Sequence, residues 1–300
     1  MNAVYSIAGV QVSRPDKVLF EGDGKEITKA DVAQYYADVA EVMLPHLRGR
    51  PITMQRFPDG IASQGFYEKK VPEHFPGFVA TTTVATADGS QEQVVVDSAA
   101  TLVYLADQAC LTPHTWLSTA KDLRRPDQLI IDLDPSVPGT RAVRRATVMV
   151  GDLLEELGLP GYLKTTGSRG YHVVVPLRRE ADFDEVHRFA RRLAEVLVAR
   201  DEDLLTIEAR KDKRGDRVLV DIARNAYAQT AAPPYALRAL PHAPVATPIT
   251  WDELSRTEPD RYTIDSVRRR LAQRPDPWQG MARHRRGLTS AARALAALGR

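Results

Sequence analysis

From residue 29 the apolar residues Val32, Tyr35, Tyr36, Val39 and Met43 recur at intervals of three and four, the period of one helix face. Thr28 and Asp31 stand where a capping box would open that helix at Lys29, and Pro45 with the GRP at 49–51 would close it. Beyond it the period falls to two. Residues 52–57 read as a strand, Pro58, Asp59 and Gly60 as a turn, and 78–85 and 93–97 as two strands around the ADGS at 87–90. Helices are expected over 99–109 and over 140–157, the second stopped by Gly158. Strands follow at 129–135, 162–165, 171–176 and 218–222, the middle two joined by the glycine-rich TGSRG. Asp182 and Glu185 open a helix with Val186, Phe189, Leu193 and Leu197 on one side. Residues 1–27 break into short alternating segments with turn signals at 22–24, and 233–248 is proline-rich and irregular. Basic helices are expected to finish the chain, bearing Arg268, Arg269 and Arg270, then Arg283, Arg285 and Arg286. Helices and strands without regular alternation argue for an α+β fold of two layered lobes.

There is no internal repeat or low-complexity tract, and 300 residues suit one large domain or two lobes sharing a core. The net charge is only +2, so any case for nucleic acid must rest on local clusters of cations. A single cysteine, Cys110, excludes an intrachain disulfide and a multi-cysteine zinc site, and leaves a buried inert thiol as its expected state. No basic-then-apolar leader begins the chain and no run of about 18 apolar residues could span a bilayer, so a cytoplasmic protein without a membrane partner is expected.

Chemistry concentrates in three stretches. In LIIDLDP at 129–135, Asp132 and Asp134 lie two apart, so on a strand their carboxylates share one face while Ile131 and Leu133 point into the core. Two oxygen donors on one rigid edge suit a hard divalent cation; a strand end running into an Asp-Pro turn accounts for the same residues without a ligand. Asp221, in LVDIARN at 219–225, is a lone carboxylate in an apolar strand, a costly place unless an arginine, a metal or solvent offsets its desolvation. Together the three carboxylates form the ligand set expected for two divalent ions clamping a phosphoryl displacement. KTTGSRGYHVVVPL at 164–177 lacks the Gly-Lys-Ser/Thr of a P-loop. It offers backbone amides at 167–170, hydroxyls at Thr166 and Ser168, Arg169, and His172 on the outgoing strand, a set suited to an anion. An ordinary glycine-rich turn beside a partly buried histidine is the structural alternative.

With these motifs the chain resembles the polymerase domain of bacterial DNA ligase D, in the archaeo-eukaryotic primase superfamily. The resemblance runs from SRPDKVLF at 13–20 through EITKADVAQYYADVAEVMLPHLRGRP, QRFPDG, GFYEKK, LIIDLDP, TTGSRGYHVVVPL and LVDIARN to APPYALRA at 232–239. It implies a primase-like fold, two β-sheets flanked by helices around a central catalytic cleft, in one domain over 1–300. Its catalytic strands would lie within 100–240 and a basic helical end over 250–300. The implied enzyme is a template-directed, metal-dependent nucleotidyltransferase that fills gaps and extends 3′ ends at DNA breaks during non-homologous end joining. It would use two Mn2+ or Mg2+ ions and ribo- or deoxyribonucleoside triphosphates, with ribonucleotides preferred. Position by position, Asp132, Asp134 and Asp221 would be the catalytic metal ligands. Thr166, Ser168, Arg169, His172, His114 and Arg238 would hold the incoming nucleotide. Arg14, Lys17 and Lys29 would grip a 5′-phosphate; Phe66 and Tyr67 would stack on template bases, for which simple core burial is the alternative. Arg56 and Arg214 would touch the DNA backbone, and the ADGS hairpin would help two ends pair. Ku and a separate ATP-dependent DNA ligase are the further partners implied, at the bacterial nucleoid.

The chain departs from the family pattern in places. Thr166 stands where serine is usual, Arg169 where lysine alternates, Gln229 where lysine is frequent and Arg14 where a polar amide is usual. Neither a KxDG adenylation motif nor a histidine-rich phosphoesterase segment is present, so a stand-alone polymerase is expected. Primase-type activity in another repair pathway and a catalytically silent DNA-end-binding module are the alternatives. A glycosyltransferase could also use a DxD, but would need neither Asp221 nor the TGSRG turn.

Overall fold

The structure, a computed structural model, describes residues 5–22, 25–86 and 89–298. The chain forms two compact units, each gathered from three stretches: 1–121, 230–247 and 262–276 in the first, and 122–229, 248–261 and 277–300 in the second. Both mix helix and strand, in keeping with the α+β expectation.

The first unit is built on a sheet in the order Thr230–Ala231, Cys110–Trp116, Ile52–Arg56 and Phe66–Glu68. The helix Lys29–Asp38 opens on the predicted capping box: the Thr28 hydroxyl accepts from the Asp31 amide at 3.2 Å, and the Asp31 carboxylate accepts from the Thr28 amide at 2.8 Å. Its stripe of Val32, Tyr35 and Tyr36 is buried with Met43, Leu47, Ile52, Met54, Leu102 and Val103 in one core. Both tyrosines keep a polar partner there, since Tyr35 Oη donates to the Tyr235 carbonyl and Tyr36 Oη to that of Leu111. The helix breaks at Val39 rather than at Pro45, which lies inside a second helix, Ala40–Leu47. Proline there removes one backbone hydrogen bond, to the carbonyl of solvent-exposed Glu41, and the helix ends two residues later.

The hairpin partner strands are Thr81–Thr86 and Gly89–Val94, so the second begins four residues before the apolar signal at 93. Its first residues, Ser90, Gln91 and Glu92, are polar because that part of the ribbon is not covered, and polar residues give no alternation to read. The expected turns at 22–24 and 87–90 fall partly on residues outside the described ones.

The second unit carries a six-stranded sheet in the order Leu205–Thr206, Val218–Asp221, Gln128–Pro135, Tyr171–Pro176, Tyr162–Thr165 and Pro248–Ile249. Every pairing is antiparallel except that between the two strands first named. Leu129, Ile131 and Leu133 of the middle strand are fully buried, on the face against which Arg141–Glu156 and Phe183–Arg200 pack. Those two helices bury Val143, Val150 and Leu153, and Val186, Leu193 and Leu197, the stripes that the 3.6 period marks out. The apolar reverse face makes the sheet rigid and leaves the other face free for polar side chains.

The basic end differs from expectation. Arg268, Arg269 and Arg270 do lie on a helix, Ile264–Gln273. Arg283 lies in the short 3-10 turn Met281–His284, and Arg285 and Arg286 are not helical. The Arg286 amide instead donates to the Pro176 carbonyl at 3.1 Å and its carbonyl accepts from the Arg178 amide at 2.9 Å, so pairing to a strand end overrides helix propensity. Among the described residues no helix is long and apolar enough to cross a membrane.

Two predictions follow from local physics. Thr28→Ala removes the side-chain half of the capping box, the hydroxyl that accepts from the Asp31 amide, and should lower unfolding stability by about 1 kcal/mol, read as a shifted urea midpoint at constant slope. Cys110 is fully buried, and burial pushes its thiol up to about 12. It should resist a thiolate-directed reagent at pH 8 until the chain unfolds. Because the unfolded thiol ionises first, its contribution to stability should be present below the ordinary thiol pKa and be lost as pH rises toward 12.

Candidate active site

The middle strand Gln128–Pro135 is paired on both sides, and the register places Asp221 and His172 each directly opposite Asp132. Residues opposite one another on antiparallel strands share a face, with Cβ atoms about 4.5–5.5 Å apart. Asp134, two residues along, lies on that face as well, as the alternation predicted. Lys164, opposite His172 on Tyr162–Thr165, extends the row to four residues across four strands.

Burial alone would raise the Asp132 carboxyl, but the His172 imidazole, with Nε2 at 3.3 Å from Oδ1, followed by Arg224 and Lys164, outweighs it and holds the group below its ordinary range. Asp132 is therefore a carboxylate at neutral pH. Asp134 faces two guanidinium groups, Arg169 at 3.2 Å and Arg214 at 3.6 Å. Asp221 Oδ1 accepts from the Ala223 amide at 2.8 Å, so the aspartate closes the turn that follows its own strand.

Three further residues build this arrangement, and two of them, Asn225 and Lys164, have no role assigned by the sequence motifs. Asn225 is fully buried: Nδ2 donates to the Ile130 carbonyl at 2.7 Å and Oδ1 accepts from the Ile130 amide at 2.8 Å. This two-point clamp fixes the end of the Asp221 strand to the Asp132 strand. Lys164 is buried in the row. Arg214, expected on the DNA backbone, is instead buried, donating to the carbonyls of Glu208 at 2.8 Å and Ala209 at 2.6 Å while facing Asp134. It orients a carboxylate rather than presenting a free cation outward.

The TGSRG turn lies beside the row and is closed by Thr166. Its Oγ1 donates to the Gly170 carbonyl at 2.9 Å and accepts from the amides of Ser168 and Gly170, each at 3.2 Å. The Thr166 amide donates to the Gly170 carbonyl and the Gly167 amide to the Pro259 carbonyl. Those four amides thus have protein acceptors, and the expected backbone nest gives way to a rigid turn that presents the side chains of Ser168 and Arg169. Gly167 has φ +65°. A Cβ on Gly170 would lie 1.9 Å from the Leu133 carbonyl oxygen, so only glycine lets the turn close on the Asp132–Asp134 strand.

The donor chemistry suits a hard divalent ion: three carboxylates on one face, of which Asp132 is held ionised. Among the described residues no three His, Cys, Asp or Glu side chains converge as a closed metal cage. Hard ions such as magnesium are commonly held by one or two carboxylates with substrate phosphate and water completing the shell, and the open row fits that mode.

The remaining predicted residues belong to the first unit. His114 Nε2 lies 3.1 Å from Gln55 Oε1, and its ring meets that of Tyr67 edge-on at 5.6 Å. Tyr67 is 62% and Phe66 45% exposed, so core burial does not explain either aromatic. Arg56 lies over the Phe66 ring at 5.6 Å and pairs with Glu68 at 2.7 Å. Arg238 is half-buried in the irregular stretch after Pro233. Lys17 pairs with Asp59 at 2.9 Å and Arg14 is exposed with φ +45°. Lys29 is buried, its Nζ donating to Ser13 Oγ at 3.1 Å and to Asp107 at 3.3 Å. Burial lowers its pKa; Asp107 opposes that shift, while the charges of Arg14 and Lys17 add to it, so the three cations form one cluster.

Residues 28–278 match the family described as LigD, primase-polymerase domain. A multifunctional non-homologous end joining protein LigD of Mycolicibacterium smegmatis is 33% identical over 266 residues, covering 87% of this chain and 34% of the relative. A bifunctional relative from Bacillus subtilis is 32% identical over 272 residues, covering 90% of this chain and 43% of its own. The chain thus spans less than half the length of the curated relatives it matches. The polymerase domain of Mycobacterium tuberculosis ligase D, solved in complex with DNA, superposes with a TM-score of 0.85 at 31% identity, over 92% of this chain and 99% of that one. That likeness identifies the fold as primase-like. On the match to residues 28–278, and with the carboxylate row and turn at its expected positions, the chain belongs to the LigD primase-polymerase domain family.

Proposed function

We propose that this chain is a template-directed nucleotidyltransferase, a DNA or RNA polymerase that fills gaps and extends 3′ ends at DNA breaks in non-homologous end joining. The observation that carries the reading is the in-register row of Asp221, Asp132 and His172, with an arginine-bearing turn closed on the same strand. Asp132, Asp134 and Asp221 would hold two Mn2+ or Mg2+ ions, which when bound lower the pKa of the primer hydroxyl and offset charge on the α-phosphate and pyrophosphate. Ser168, Arg169 and His172 would meet the triphosphate directly, and Thr166 would keep the turn in shape. The resemblance assigns His114 and Arg238, on the first unit, to the nucleotide as well.

The cluster of Arg14, Lys17 and Lys29 supports a 5′-phosphate role, and the exposed Phe66 and Tyr67 support stacking on template bases, worth about 1–3 kcal/mol per base. A Ku-like end binder and an ATP-dependent ligase domain or protein would complete the repair. Most of the catalytic effect of such an arrangement is positioning and electrostatics.

The decisive test is primer extension on a short gapped duplex with a 5′-phosphate, with manganese or magnesium and with ribo- or deoxyribonucleotides. Wild type should add templated nucleotides, and Asp132→Ala should lose extension while keeping DNA affinity within about twofold, since it removes a transition-state contact rather than a DNA contact. Tight gap binding with no addition by wild type under any condition would instead support a silent end-binding module.

For the phosphate cluster, Lys17→Ala with Arg14→Ala should weaken binding to a 5′-phosphorylated gap and scarcely affect the 5′-hydroxyl gap. Equal losses on both would mean general electrostatic attraction only. Lys29→Ala is a different case: stranding Asp107 in a buried site should cost about 3–5 kcal/mol of stability, read by urea unfolding.

A further inference from the structure

The helix Arg141–Glu156 turns one stripe away from the sheet. Val148, Asp152 and Glu155 recur along it at intervals of four and three, so they share a face, and all three are exposed. Beside that stripe the second unit has a groove of about 580 Å³. Trp251, at the head of the 3-10 turn Trp251–Arg256, lines it opposite the stripe, with the buried Leu159 and Leu254.

The indole of Trp251 is fixed in place. Its N–H donates to the Gly161 carbonyl at 2.8 Å, and a Cβ at Gly151 or Gly161 would come within 2.9 Å or 3.1 Å of its ring. Two glycines thus cut the slot that holds the ring. Even so, the residue is 36% exposed, whereas Trp116 and Trp278 are 1% and 2% exposed. A tryptophan already held in one orientation loses little rotamer freedom on contact, which suits it to anchor an interface.

The rim has a sign. Glu156 is held by Arg200 in two hydrogen bonds, at 2.7 and 2.6 Å, and Asp152 and Glu155 are the carboxylates that line the groove. Arg286, the cation that lines it, turns its guanidinium to the carbonyls of His284 and Arg285. Carboxylates beside an indole face attract a cation and repel phosphate, so the groove is not a path for a nucleic-acid backbone. Its length argues for an extended occupant. Past Gly158, Leu159 and Arg286, which line both, it continues into a second cavity of about 280 Å³. The helix lies on the apolar face of the sheet, opposite the carboxylate row, so an occupant of the groove leaves Asp132 and its neighbours open.

We propose that this groove docks a short extended segment of a partner protein. An arginine or lysine of that segment lies over Trp251 and pairs with Asp152 and Glu155, and an adjoining aliphatic or aromatic residue packs against Val148 and Leu254. The site goes beyond the polymerase reading and does not depend on it.

The test uses the full chain and a phage-displayed library of linear decapeptides, with no metal, nucleotide or DNA present. Peptides selected on wild type should carry a lysine or arginine next to an apolar residue. Synthesised without tryptophan, they should shield Trp251 from acrylamide quenching, which reports this indole because the other two are buried. Asp152→Lys with Glu155→Lys should weaken the same peptides about tenfold or more. Both side chains are exposed, so the urea midpoint should move little. Should that double variant unfold, Val148→Ser, which changes no charge, carries the same comparison. Failure to enrich any such peptide, enrichment of acidic peptides only, or binding that neither shields Trp251 nor falls in the variants would each overturn the proposal. A wild-type dimer in analytical ultracentrifugation that the double variant abolishes would give the groove to a second copy and overturn it equally.

Discussion

Two aspartates face each other across adjacent strands at Asp132 and Asp221, an arrangement that a sheet resists because like charges directly opposite destabilise the pairing. The surrounding side chains are arranged to offset that repulsion. His172 flanks Asp132 on its other side, Arg224 and Lys164 add positive charge, and two arginines face Asp134. Asn225 clamps the paired strands through the Ile130 backbone, where repulsion between the acids would otherwise pry them apart. The reverse face, packed beneath two amphipathic helices, supplies the rigidity on which this polar face depends.

Local signals exposed much of this in the sequence, and long-range pairing hid the rest. Period two placed Asp132 and Asp134 on one face, and the Asp182–Glu185 capping box and the 162–176 hairpin were legible because each depends on neighbours only a few residues away. That Asp221 lies opposite Asp132 depends on a pairing some ninety residues apart, which composition cannot encode. Asn225 reads as an ordinary turn residue until its partner at Ile130 is known, and Arg214 as an exposed cation until the carbonyls of Glu208 and Ala209 are seen around it. The polar strand at Gly89–Val94 and the Arg285–Arg286 segment, expected on a helix, depart from expectation for the same reason, since backbone pairing can proceed without an apolar pattern.

The first unit separates two uses of positive charge. Lys29 is buried against Asp107 and Ser13, where it ties the helix Lys29–Asp38 to the segment around Ser13. Arg14, exposed, and Lys17, paired with the exposed Asp59, keep charge that an anion could reach. A buried pair of this kind is costly to break but adds little attraction for solution ligands. The reachable charge is therefore carried by the two outer residues.

Gly170 approaches the Leu133 carbonyl so closely that the turn and the carboxylate strand are, in effect, one mechanical part. The backbone of the turn is a fixed mount, and the heads at Ser168 and Arg169 can be exchanged without moving it, in the manner of a tool holder that accepts different bits.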